Sequence, residues 1–253
     1  MQEKTYKLLA QQEKISNREA KELIDAGRVF AHGKKILIAR ALMRAGTKFS
    51  LTEAKKPQIL FEDDRIIAVD KPHSFVSERL EREFRARLLN RLDKETSGVI
   101  LLCRDENFRL SCIEEFKKQR VFKSYIAVLD GILAQELELD APIKTTKSKG
   151  GAFSRVSKDG LSALSRFVPL MVRGKKTLAK IIIKTGRTHQ IRVHAALAGH
   201  GVVGDACYAK IPSDRMYLHS YELGILDYFF RADVDEGFSK MGFELKNLDF
   251  KAL

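Results

Sequence analysis

The densest group of chemistry-bearing residues is Asn90-Arg-Leu-Asp-Lys-Glu-Thr-Ser-Gly98, which runs into the wholly apolar Val99-Ile-Leu-Leu-Cys103. A carboxylate at Asp93 could capture or steady a developing positive charge, or remove a proton. The same letters also fit plain structure, because Asp93, Thr96 and Ser97 are residues that build a polar turn before a strand. Read from its own neighbours, the segment favours the turn. A second cluster is Lys184-Thr-Gly-Arg-Thr-His-Gln-Ile-Arg-Val-His194, with His200 beyond it. Its histidines raise the question of a metal. There is no HExxH pattern and no cysteine at ligand spacing, and His189 and His194 are too badly phased to share a helix face. No metal is expected. Gly199-His-Gly-Val-Val-Gly204 spells GxGxxG, yet it follows an expected helix, where a dinucleotide turn should follow a strand. Gly199 reads as the left-handed residue ending that helix.

These residues need elements to hold them. Ser16 to Ala26 reads as a short helix, with Ser16 as N-cap, Glu19 closing a capping box and Gly27 at the C-terminal end. Arg28 to Ala31 and Ile36 to Ile38 read as strands around a turn at His32-Gly33-Lys34, and Arg44 to Thr47 as another turn before Phe49-Ser50-Leu51. Thr52 to Pro57, polar and closed by proline, reads as a linker. Strands are expected at Gln58–Glu62, Ile66–Asp70, Val99–Cys103, Ser124–Leu129 and Leu178–Ile183, and helices at Glu106–Gln119 and Thr188–Leu197. Lys144 to Lys158, rich in Lys, Ser, Thr and Gly, reads as a mobile basic loop. Met241 to Phe250 fits either a strand or a short helix. Short strands mixed with a few helices, without regular alternation, predict an α+β fold.

Composition limits the function classes. The chain has 253 residues, 44% hydrophobic and 31% charged, enough for a real core and too polar for a membrane class. No apolar run approaches the roughly 18 residues of a membrane helix. The N-terminus lacks the apolar core of a signal peptide, so a cytoplasmic protein is expected. Cys103, Cys112 and Cys207 form no CxxC pair and suit a reducing compartment. The net charge of +13 points to a polyanionic partner. Residues 1–57 hold 13 Lys and Arg against 6 Asp and Glu, a net of +7, so the excess is concentrated in the first quarter. That is the pattern of a small nucleic-acid-binding module ahead of a larger body.

The stretch ISNREAKELIDAGRVFAHGKK with the later AGTKFSL resembles the small RNA-binding domain first named for a small-subunit ribosomal protein, the "S-four" domain. The resemblance covers about fifty residues. It implies that Lys14, Arg18, Lys21, Arg28, Lys34 and Lys35 face RNA phosphates, a contact that binds by counterion release without reading sequence.

From Gln58 to about Leu226, five ordered segments resemble the RluA-type family of pseudouridine synthases. They are FEDDRIIAVDKP, RLDKETSG, Lys123-Ser-Tyr125, KTGRTHQIRVH running into Gly199–Tyr208, and Leu218-His-Ser-Tyr-Glu-Leu223. The resemblance implies a mixed, largely antiparallel central sheet with a catalytic cleft, in a domain spanning 57–253 behind the small αβ domain at 1–56. It implies that Asp93 is the catalytic aspartate, that Arg91 helps hold a flipped-out nucleotide, that Tyr125 packs on the target uracil and that Arg192 pairs with the aspartate. The implied reaction moves the ribose from a ring nitrogen of uracil to carbon 5, so no cofactor is called for. RNA is the expected partner and a monomer the expected form. Large-subunit ribosomal RNA is the favoured substrate and transfer RNA the alternative. A non-catalytic RNA-binding or ribosome-assembly protein is the rival reading, but such a protein should have lost Asp93 or Arg192. The chain departs from the family at Asn90, where His is usual, and at His73-Ser74, where Ala-Gly is usual. The stretch from Pro72 to Asn90 also carries Arg79, Arg82, Arg85 and Arg87.

Overall fold

The computed structural model describes residues 1–52, 55–148 and 151–243. The chain divides into two compact units, Met1–Lys56 and Pro57–Leu253.

The first unit contains strand β1 (Gln2–Lys4), helices α1 (Thr5–Glu13) and α2 (Asn17–Asp25), and strands β2 (Val29–Ala31), β3 (Lys34–Lys35), β4 (Leu42–Arg44) and β5 (Phe49–Leu51). Helix α2 starts as its sequence dictates. The Ser16 hydroxyl accepts from the Glu19 amide, and the Glu19 carboxylate accepts from the Ser16 amide. Gly27 follows at a φ of +66°. Ala20 and Ile24 of α2 pack with Leu9 and Ala10 of α1 and with Val29, Ala31 and Phe49 of the sheet β3-β2-β5. The strand expected at Ile36–Ile38 does not form. Strand pairing covers Lys34 and Lys35, and the Ile36 amide still donates to Val29. Beyond that the partner strand runs out, because Arg28 already belongs to the helix end, its amide bonded to Leu23. Leu37 and Ile38 are left exposed.

The second unit is built on a ten-stranded sheet. Its strands are β6 (Gln58–Glu62), β7 (Ile66–Lys71), β8 (Arg87–Leu88), β9 (Ser97–Cys103), β10 (Phe122–Asp130), β11 (Leu137–Asp140), β14 (Leu164–Arg173), β15 (Lys176–Ile183), β16 (Leu218–Ile225) and β17 (Tyr228–Arg231). Strands β12 (Ile143–Ser148) and β13 (Gly151–Val156) pair separately. The helices are α3 (Glu78–Phe84), α4 (Glu106–Lys117), α5 (Gln190–Leu197) and α6 (Glu236–Lys240). The main order is β11-β14-β15-β10-β16-β9-β7-β6, with β8 beside β9 and β17 beside β16. The sheet is mixed and largely antiparallel. The pair β16–β9 is parallel, with His219 opposite Ser97 and Ser220 opposite Gly98. That approach requires a glycine: Gly98 has a φ of +105°, and a Cβ there would lie 2.1 Å from the Ser220 carbonyl oxygen. Strand β9 is buried along its whole length, which explains its uninterrupted apolar run.

The Lys144–Lys158 segment is not the mobile loop its composition suggests. Residues 143–148 and 151–156 form a hairpin whose alternation is hidden among polar residues, with Ile143 opposite Val156 and Thr145 opposite Ser154. Ile143 and Ser154 are buried. The arginine-rich stretch also orders itself, as α3, with Leu80 as its buried anchor. Of the Met241–Phe250 stretch, 241–243 form the turn after α6, and the remainder lies outside the described residues. No described helix is long and apolar enough to cross a membrane.

Candidate active site

Asp93 sits in the short connection that delivers the chain into β9, and Arg192 lies in the first turn of α5. They are 99 residues apart in sequence, yet the Arg192 Nη1 donates to Asp93 Oδ2 at 2.9 Å. Around them is a cleft of about 340 Å³, lined by Val76–Glu78, Arg91–Lys94, Thr96, Tyr125, Ala152, Ile183, Gly186–Arg192 and Leu218. The turn reading of Asp93 holds, and it places the carboxylate at the cleft: its main-chain carbonyl accepts from the Thr96 amide.

Arg192 is held from behind. Its Nε and Nη2 bond both oxygens of Asp205 at 2.8 and 3.0 Å, a bidentate grip that leaves Nη1 for Asp93. Asp205 is itself buried and accepts from the amides of Cys207 and Tyr208. Burial works against the Arg192 charge, but the Asp205 hydrogen bonds and the two carboxylates win, so its pKa is raised. Burial likewise opposes the Asp205 anion, and Arg192 more than offsets it, holding that carboxyl below its usual range. Asp205 is thus a second carboxylate near the cleft, but both its oxygens are committed, so it is not available as a glycosidase-type acid partner.

Lys71 braces the Asp93 turn. It is fully buried at the end of β7, and its ammonium donates to the carbonyls of Pro72, Phe75 and Lys94 at 3.1, 2.8 and 3.2 Å. Three acceptors match the three hydrogens of an ammonium. Burial pushes its pKa down to about 7, opposed chiefly by Glu95 and Asp93. Lys71 therefore ties the loop after β7 to the residue next to Asp93. Ser77 adds a second tie, donating to the Leu92 carbonyl and accepting from the Leu92 amide. Tyr125 comes from β10, where a register shift between Ser124 and Tyr125 interrupts pairing with β16. Its ring lines the cleft, and burial pushes its pKa up to about 12, so it is a neutral phenol that presents an aromatic face.

Arg91 stands at the rim, paired with Glu78 at 3.2 Å, and its side chain is mostly exposed. Asn90, the departure from the family's histidine, accepts from the Leu101 amide and so braces β9. His189 lies 3.7 Å from Asp93 through Nε2 and bonds the Tyr208 hydroxyl through Nδ1 at 2.6 Å. The other two histidines weighed for a metal are elsewhere: His194 bonds Ser165 and Ala141, and His200 bonds the Asp130 carbonyl. Gly199 ends α5 at a φ of +77°. In the first unit, Lys14, Arg18 and Lys34 are exposed, while Lys21, Arg28 and Lys35 are half-buried. Lys21 lies over the Tyr6 ring, Lys35 over Phe30, Arg18 pairs with Glu22, and Arg28 bonds the Thr52 carbonyl.

The arrangement offers one carboxylate with Oδ2 bonded to a pinned guanidinium and Oδ1 accepting no hydrogen bond among the described residues. An aromatic face stands beside it. Such a site can stabilise or capture a sugar cation while holding a flat base. Sequence reading did not assign Asp205, Lys71, Ser77, His189 and Tyr208. All but Ser77 stand in or beside quoted motifs, but their roles are pairings across space that no spacing reveals.

A family model described as RNA pseudouridylate synthase matches residues 51–197. An uncharacterised RNA pseudouridine synthase of Helicobacter pylori (strain J99) is 45% identical over 234 residues, covering 91% of this chain and 96% of that one. A ribosomal large subunit pseudouridine synthase D of Nitrosomonas europaea is 28% identical over 201 residues, covering 68% of this chain and 58% of that protein. Among solved structures, the human RNA pseudouridylate synthase domain containing 1 superposes with a TM-score of 0.61 at 24% identity, over 73% of this chain and 87% of that one. That last likeness speaks to the fold.

Proposed function

Because the chain belongs to the RNA pseudouridylate synthase family, and is therefore a pseudouridine synthase, we propose that Asp93 is its catalytic carboxylate and that large-subunit ribosomal RNA is its substrate. The observation that carries the first part is the Asp205–Arg192–Asp93 chain at the cleft. The reaction breaks the bond between ribose carbon 1′ and ring nitrogen 1 and joins carbon 1′ to ring carbon 5, whose hydrogen leaves as a proton. Asp93 can serve by attacking carbon 1′ or by taking the proton on carbon 2′. In either case the charged oxygen must be aimed at the sugar, and a guanidinium bonded twice on its far side keeps the partner of Asp93 from swinging. Arg192 is the counter-charge. Tyr125 is the face against which the flipped uracil packs, and Arg91, at the rim, meets the RNA from which that base is withdrawn. Nothing is oxidised and no group is imported, so the chemistry calls for no cofactor.

The ribosomal assignment is supported by the name of the Nitrosomonas relative and by the basic first unit, in which Lys14, Arg18, Lys21, Arg28, Lys34 and Lys35 are proposed to contact phosphates. The test uses large-subunit ribosomal RNA carrying tritium at carbon 5 of uridine. The wild type should release tritium, and Asp93→Asn should release none while still binding the RNA. Equal release from both proteins would sink the Asp93 assignment. Release from transfer RNA alone would move the substrate.

A further inference from the structure

Tyr208 stands between the β12–β13 hairpin and Asp93. Its hydroxyl oxygen accepts the Ser154 amide of β13 at 2.9 Å and lies 2.6 Å from His189 Nδ1. The other ring nitrogen of His189, Nε2, lies 3.7 Å from Asp93 Oδ2. Those contacts decide where the hydrogens are. The Ser154 amide already supplies one to the Tyr208 oxygen, the Ser154 hydroxyl reaches the same oxygen, and His189 Nδ1, at 2.6 Å, is the strongest acceptor offered to the phenol. The phenol's own hydrogen therefore goes to Nδ1. Nδ1 then carries none, and a neutral imidazole carries its hydrogen on Nε2, the nitrogen that faces the carboxylate. The reverse tautomer would aim a lone pair at Asp93 and deny the phenol that acceptor. Burial lowers the His189 pKa, which keeps the ring neutral.

The Tyr208 ring has two further neighbours. Phe153 of the hairpin, itself half exposed, stacks on it at 5.4 Å and 27°, and the Arg192 guanidinium lies 5.0 Å from its centre. Ala152, the preceding residue of β13, lines the cleft. We propose that Tyr208 is a positioning residue: it sets the His189 tautomer so that Nε2–H supports Asp93, and thereby makes that support depend on the seating of the β12–β13 hairpin. The inference rests on Asp93 being the reacting carboxylate. His189 then aims a second N–H at Oδ2 beside Arg192, across 3.7 Å in the free protein, a separation that shortens to a hydrogen bond in the substrate complex.

The full-length protein tests this with Tyr208→Phe, which keeps the ring and its stacking and removes only the hydroxyl. Nitrogen-15 spectra of His189 should show a single tautomer, protonated at Nε2, in the wild type and a mixture in the variant. Single-turnover rate should fall about tenfold, the scale of one missing orienting hydrogen bond, with affinity for RNA within twofold. His189→Gln gives the second arm, because its amide N–H₂ can replace Nε2–H without needing Tyr208. In that background Tyr208→Phe should have no further effect on rate. The proposal is overturned if the wild type carries its hydrogen on Nδ1, if Tyr208→Phe leaves the rate unchanged, or if the two substitutions are additive. The tautomer is read without turnover, so a wrong Asp93 assignment would show as full activity in Asp93→Asn with the His189 spectra as expected.

Discussion

At the scale of single residues, the site depends on the one side chain that must satisfy two carboxylates. Arg192 reaches Asp205 with two nitrogens and Asp93 with a third. A lysine there presents a point charge and cannot keep that fork. Arg192→Lys is therefore expected to lower single-turnover rate about a hundredfold while weakening RNA binding little, since a small displacement of a pinned charge is enough to lose that much. Rapid-quench measurement of tritium release, beside a binding isotherm, checks it. A rate within a few-fold of wild type would show that the second bond to Asp205 is dispensable. Asp93 and Arg192 are legible in the sequence because ordered motifs flank them. The residues that hold them in place are less so. Asp205 sits in an undistinguished Gly-Asp-Ala-Cys-Tyr, and its meaning comes from an arginine 13 positions earlier whose side chain turns back to it. Lys71 looks like an exposed charge at a strand end, and only its three carbonyl partners explain its burial. Asn90, a departure in the motif, turns out to brace the backbone of β9.

At the scale of elements, the joint between β9 and β16 is the decisive contact, and His219 closes it. One ring nitrogen meets the Ser97 hydroxyl at the start of β9, and the other meets the Ala232 carbonyl. Burial pushes its pKa down to about 4, against an ordinary 6.5. The sign follows from linkage: as pH falls below 6.5 the unfolded chain takes up a proton that the folded chain refuses until about 4. Stability is therefore fully present above 6.5 and lost between there and about 4. At pH 5 the loss from this one group is about 2 kcal/mol. Urea midpoints measured at pH 7.5 and pH 5 should show it, and His219→Gln should flatten the difference. His189 and His194, also held low by burial, act in the same direction. An unchanged pH slope in His219→Gln would remove His219 as its source. Sequence reading found β7, β9, β10 and β15, whose apolar runs announce themselves by composition, and passed over β14 and β16. It failed on β12–β13, where the period of two runs through Lys, Thr and Ser and the apolar side is a single Ile, Ala or Val at a time. It also failed at Ile36–Ile38, which have strand composition but no partner strand to pair with, and it passed over α1.

At the scale of the whole molecule, the charge lies unevenly: residues 1–57 carry +7 of the +13. Removing residues 1–56 should weaken binding to ribosomal RNA and flatten its salt dependence by about 0.7 to 0.9 in log–log slope for each phosphate that is no longer neutralised. Tritium release at saturating RNA should change far less. Filter binding across a salt series checks this, and an unchanged slope would take the phosphate-binding role away from the first unit. The order of strands has a further outcome in time. Strand β7, which ends in Lys71, and β9, which follows Asp93, meet the strands that lead to Arg192 (β10, β14 and β15) through β16, which is threaded between β10 and β9. During synthesis β16 leaves the ribosome after every residue of the cleft except Leu218, its own first residue. A nascent chain halted before Leu218 holds all the proposed catalytic groups yet has no joint to bring them together. Assembly of the cleft therefore waits until Leu218–Ile225 has been made.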